Sequence, residues 1–126
     1  MKNGILNSLK YLFYFSLFIL IILYLFPGSL IGYFLYGNIG QQPNLISNPI
    51  GTSINHLIFF FYLGFLGFVV RKNQKKIINS FLFLLIISII LEFLHYFIPN
   101  RAFELNDLFS NIGGVILAYL LFNFFK

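Results

Sequence analysis

The sequence contains no cysteine and no tryptophan, a single methionine, and only three acidic residues in 126. Without a thiol there is no disulfide, no thiolate nucleophile and no thiolate metal site. Charge of either sign is scarce: charged residues make up 9% of the chain and hydrophobic residues 60%, whereas about a quarter of a soluble domain is charged. That balance excludes an ordinary soluble domain and points to an integral membrane protein, with residues 1–126 forming a single membrane domain. The net charge of +5 does not argue for nucleic acid. The basic residues sit beside the ends of apolar runs instead of forming a stripe, and so read as topology signals. The nineteen Phe and eight Tyr read as compositional bias, and no internal repeat is evident.

The chain divides at its polar interruptions. An apolar run of about residues 9–26, preceded by Lys2 and Lys10 and stopped by Pro27 and Gly28, is long enough to span, because roughly 17 to 25 helical residues cross the hydrocarbon. A basic start and an apolar core also fit a cleaved signal peptide, but nothing like Ala-x-Ala follows. The outer loop 28–55 carries no charge and is rich in Gly, Asn, Gln, Ser and Pro. Its apolar piece, Leu30 to Tyr36, is too short to cross and suits the headgroup level. Further spans are expected at about 54–70, 77–98 and 108–125. Arg71, Lys72, Lys75 and Lys76 separate the second from the third, Pro99 stops the third, and Lys126 closes the fourth. Lys and Arg thus flank the amino terminus, the second connection and the carboxyl terminus, while the other two connections hold only Arg101. The expected fold is therefore all-α and polytopic, with four transmembrane helices and both termini cytoplasmic, in a bacterial cell membrane.

All three acids and one of the two histidines lie between Leu91 and Gly114. An ionised carboxylate near the bilayer centre costs on the order of 2.5–3.5 kcal/mol on insertion scales, so Glu92 in its apolar helix is a functional suspect. Glu92 and His95 are three apart and share a helical face, as Asp107 and Asn111 do at a spacing of four. Asp107 also suits an N-cap. His56 opens the second span from the same side, and Arg101 is the one cation there. With about 10 Å of helix between Glu92 and Pro99, the carboxyl is expected roughly a third of the way into the hydrocarbon from outside. Gly64, Gly67, Gly113 and Gly114 read as small residues that let helices approach.

From Asn55 to Tyr119 the sequence resembles the VanZ-like family of small bacterial membrane proteins. The resemblance rests on His56 followed by Leu63 and Gly64, a basic loop, then Glu92, His95, Pro99, Arg101, Asp107, Asn111, Gly113 and Gly114 in order and at spacing. Three positions depart: Thr52 and Ser53 stand where the family has an Asp-Lys pair, and His95 stands where it usually has Gln. The family is named for a protein that lowers susceptibility to the glycopeptide teicoplanin, so the resemblance implies an envelope role.

Three functional readings follow. In the first, an outward-facing pocket of His56, Glu92, His95, Arg101, Asp107 and Asn111 binds a lipid-linked intermediate or a glycopeptide-like ligand, with Arg101 gripping carboxylate or phosphate through its planar fork. The second is an intramembrane enzyme in which Glu92 is the general base and His95 or His56 the acid; no Ser or Cys nucleophile sits at a recognisable motif. In the third, the polar groups only hold the helices together. Membrane lipids are the expected surroundings and no cofactor or resident metal is expected. A site of His56, His95 and a carboxylate is nonetheless chemically admissible. The Glu-x-x-His spacing of di-iron bundles occurs once where two are needed. One acid at one depth is not a path across the membrane for an ion.

Overall fold

A computed structural model describes residues 2–43, 51–71 and 74–126, the side chain of Thr52 excepted. The described residues form five helices: α1 (Lys2–Leu25), α2 (Leu30–Tyr36), α3 (Gly51–Val69), α4 (Gln74–Leu94) and α5 (Leu105–Phe125). Three of them, α1, α4 and α5, are long and apolar enough to cross a membrane; the apolar part of α3, Ser53–Val69, is shorter. This is an all-helical membrane protein.

The long helices share a small set of buried faces. On α4, Ile77, Ser80, Leu84, Ser88, Leu91 and Glu92 are buried, steps of three and four that put them on one stripe. Asp107, Asn111, Gly114, Val115 and Ala118 do the same on α5. Each stripe is apolar or small toward one end and polar toward the other. The opposite faces expose large apolar side chains, among them Phe18, Phe83, Ile86 and Leu120, as a lipid-facing surface requires. α3 sits centrally, touching α1, α4 and α5, with Phe60, Leu63 and Phe68 fully buried. Its closest neighbour is α5, because a Cβ on Gly114 would lie 2.5 Å from the Leu57 carbonyl oxygen and 2.9 Å from the Phe61 nitrogen.

The helices alternate in direction, which sorts the polar groups. One end, the basic end, gathers Lys2, Arg71, Lys75, Lys76 and Lys126. Arg71 donates there to Ser80 Oγ at 2.8 Å and lies over the Phe13 ring. The other, polar end carries α2, the α4–α5 turn and the start of α3. Here α2 matches the expected interfacial piece residue for residue. Ser29 caps it by accepting from the Gly32 amide at 2.9 Å, and Gly37 ends it at φ 68°. The loop then folds back, so that a Cβ on Gly32 would sit 1.6 Å from the Gln41 carbonyl oxygen. Only glycine fits that approach.

Helix limits differ from the expected ones. α1 begins at Lys2, not near Leu9, because a helix continues past the hydrocarbon wherever its residues tolerate it. α4 ends at Leu94 instead of Ile98. The amides of His95, Tyr96 and Phe97 bond to carbonyls three residues back, at 3.1, 3.2 and 3.0 Å, since Pro99 clashes with a continuing α-helix and the chain tightens ahead of it. Asn100 then takes φ 62° and reverses the chain. α5 begins at Leu105, with Glu104 at its N-cap. Asp107 is therefore in the first turn and is not the cap. Of the small residues, Gly64, Gly67 and Gly114 lie against neighbouring helices, whereas Gly113 has nothing within 4 Å of its Cβ position. Lys72 of the basic cluster and the segment 44–50 of the outer loop lie outside the described residues.

Candidate functional site

The polar ends of the stripes on α3, α4 and α5 converge as the spacing predicts. His56, Glu92, His95, Asp107 and Asn111 are all buried, Glu92 and Asn111 completely. The structure adds Tyr24 from α1, which is 5% exposed. Its hydroxyl donates to Asn111 Oδ1 at 2.7 Å and lies 2.8 Å from His56 Nδ1. Because a phenol has one proton, the second contact requires His56 Nδ1 to donate. The same nitrogen is 3.1 Å from Asn111 Oδ1. The Asn111 amide nitrogen donates in turn to the Ser88 carbonyl at 3.4 Å, which fixes its orientation. Neutral His56 therefore carries its proton on Nδ1 and presents Nε2 as a bare lone pair. That lone pair faces Asp107 Oδ2 at 3.6 Å.

Each carboxylate is held by one of its oxygens. Asp107 Oδ1 accepts from Ser53 Oγ at 2.7 Å. Glu92 Oε1 accepts from the Glu104 amide at 3.3 Å and is 3.3 Å from His95 Nδ1. His95 donates through Nε2 to the Tyr24 carbonyl at 3.0 Å. With Nε2 so occupied, the contact between Nδ1 and Oε1 needs a further proton, carried by the ring or the carboxyl. Glu92 Oε2 is buried without a hydrogen-bond partner among the described residues and lies 3.8 Å from His56 Nδ1.

Among the described residues Arg101 forms no salt bridge with the buried acids, whose ion-pair partners are His56 and His95. It donates through Nε to the Phe26 carbonyl at 3.1 Å and through Nη2 to the Leu23 carbonyl at 2.7 Å. It thereby closes the carboxyl end of α1, where unpaired carbonyls form the negative pole of the helix. Burial pushes its guanidinium down from its ordinary value, while Tyr24, Glu92 and Asp107 pull it back up; it stays a cation. Beside it opens a cavity of about 380 Å³ between α1, α2 and α3. Tyr24, Asn55, His56, Gln42 and Arg101 form its polar part, and Leu23, Leu30, Ile31, Ile58 and Phe59 its apolar part.

With this geometry in place, the sequence can be set beside known proteins. The VanZ/LLP1 family model matches residues 11–126. The chain belongs to the VanZ/LLP1 family. No curated protein and no solved structure matches it.

Within this VanZ/LLP1 protein two of the three departures from the family pattern acquire physical content. Ser53, in place of one member of the Asp-Lys pair, orients Asp107. His95, in place of Gln, brings a group that can hold a proton against Glu92. Sequence reasoning singled out Ser53 only as a departure from the family pattern and did not single out Tyr24. The available signal for Tyr24 was positional: it lies near the end of the first span, at the depth of His56 and Glu92.

Proposed function

We propose that this VanZ/LLP1 protein crosses the bacterial cytoplasmic membrane four times with both termini in the cytoplasm. Its polar end, on the outer side, would bind the anionic headgroup of a lipid-linked envelope intermediate or a glycopeptide-like ligand and so influence teicoplanin susceptibility. The observation that carries this reading is the cavity, whose lining combines apolar side chains that suit a chain with Arg101, His56 and Tyr24, which suit a headgroup. Such a mixture is what orients an amphipathic ligand. Arg101 uses Nε and Nη2 on carbonyls, and the fork has further donors for carboxylate or phosphate. The basic residues at the opposite end support the orientation, because Lys and Arg favour the cytoplasmic side. The test is teicoplanin and envelope-drug susceptibility of cells carrying Arg101→Ala or Glu92→Gln. Both variants are expected to lose the wild-type phenotype, and unchanged susceptibility at equal protein level would overturn the reading.

A second reading is favoured by Glu92 Oε2, a buried carboxyl oxygen without a donor among the described residues. In it Glu92 is the general base of an intramembrane enzyme that acts on a headgroup ester or phosphate. Reconstituted vesicles turning over envelope lipid intermediates equally with wild type and Glu92→Gln would exclude it.

A further inference from the structure

The centre of the polar cluster is lined by acceptors. His56 Nε2 is a lone pair in the neutral tautomer that Tyr24 and Asn111 impose. Asp107 Oδ2 faces it at 3.6 Å, and Glu92 Oε2, fully buried and without a donor among the described residues, lies 3.8 Å from Nδ1 on the other side of the same ring. One ligand atom from each of the three residues falls within 4.8 Å of the others. Acceptors gathered in a buried place repel unless a cation lies among them. The separations exceed a hydrogen bond. The 3.6 Å between His56 Nε2 and Asp107 Oδ2 suits atoms that share an ion, since ligands at about 2.0–2.1 Å from tetrahedral zinc are about 3.3 Å apart.

We propose that His56 Nε2, Glu92 Oε2 and Asp107 Oδ2 form a zinc(II) site with a fourth position left open. The second atom of each ligand is already held: His56 Nδ1 by Tyr24 and Asn111, Asp107 Oδ1 by Ser53, Glu92 Oε1 by the Glu104 amide and His95. This is the arrangement that fixes tautomer and orientation in metal sites, where such partners matter nearly as much as the ligands. One imidazole with two carboxylates suits zinc, and three protein ligands with an open position are the pattern of zinc that meets a ligand or water. His95, which the sequence admits as a ligand, is excluded because both its nitrogens are engaged by Glu92 and the Tyr24 carbonyl. The site departs from the expectation of no resident metal, and it does not depend on the ligand proposed for the cavity.

The test uses the full chain purified in detergent, stripped with chelator and reloaded with zinc chloride, with metal content, zinc affinity and zinc-edge X-ray absorption as readouts. Wild type is expected to hold about one zinc per chain with only nitrogen and oxygen neighbours at about 2.0–2.1 Å. His56→Ala, Glu92→Gln and Asp107→Asn each lower affinity at least tenfold. Ser53→Ala and Tyr24→Phe, which keep all three ligands and guard against variants that fail to fold, lower it by about 10–100-fold. Lys75→Gln, an exposed residue at the opposite end of α4, leaves it unchanged. Less than a tenth of an equivalent in reloaded wild type, or equal affinity in His56→Ala and Lys75→Gln, would overturn the proposal, as would a sulfur neighbour in the absorption spectrum. In that outcome a proton shared by His56 and Asp107 balances the acceptors.

Discussion

At the scale of single residues, the burial of five polar side chains follows from pairing: each of His56, Glu92, His95, Asp107 and Asn111 has a named partner. Glu104 is different, exposed at the N-cap of α5 and without a side-chain capping bond. Its carboxyl is held above the ordinary value by partial burial and then by the nearby negative Asp107 and Glu92, against the pull of His95. A raised acid binds its proton more tightly in the folded state, so stability falls as pH rises from the unfolded value through the raised one. Thermal unfolding in micelles should show this decline as pH rises from the ordinary glutamate range, and Glu104→Gln should flatten it. An identical slope in both proteins would show that Glu104 does not contribute. At this scale the sequence was legible where a polar residue interrupts an apolar helix, as Glu92 and Asn111 do. It was not legible for Tyr24, because one tyrosine in a helix full of aromatic side chains carries no contrast, and its role comes from the depth it shares with two other helices. Nor was it legible for Arg101, whose partners are backbone carbonyls that any sequence supplies.

At the scale of helices, spacing foretold which faces are buried, because steps of three and four hold whatever the partner. The limits were less visible. Pro99 announces a stop, but the tightened turn before it, which takes His95 off the regular helix, depends on how the chain relaxes the clash. Adjacent glycines show the same limit. A Cβ on Gly114 meets the backbone of α3 at 2.5 Å, while one on Gly113 meets nothing within 4 Å. Gly114→Ala should therefore destabilise by about 1–3 kcal/mol as the helices are forced apart. Gly113→Ala should stabilise by up to about 1 kcal/mol through helix propensity. Unfolding in mixed micelles measures both, and equal effects would mean that α3 and α5 do not approach as described.

At the scale of the whole molecule, alternating helices place every described basic residue except Arg101 toward one end. The absence of native cysteine makes the proposed orientation directly testable. The connections at Asn44 and Asn73 lie outside the described residues, and exposed Asn38 and Lys75 serve instead. A single cysteine at position 38 should react with an impermeant thiol reagent added to intact cells, and one at 75 only after permeabilisation. Labelling of both from outside would overturn the four-span topology.

The grip of Arg101 on the Leu23 and Phe26 carbonyls has a consequence for selectivity. The end of α1 is itself a weak anion, and it already occupies part of the fork that the proposed ligand must use. An incoming anion therefore competes with a resident. A singly charged group offers Arg101 little that the helix pole does not. A doubly charged phosphate offers more, and by drawing the guanidinium away it would unfasten α1 at the point where Tyr24 joins the cluster. If the cavity binds an anion as proposed, the same contact that closes the helix would set a threshold on which anions are admitted and would connect their arrival to the position of the first helix.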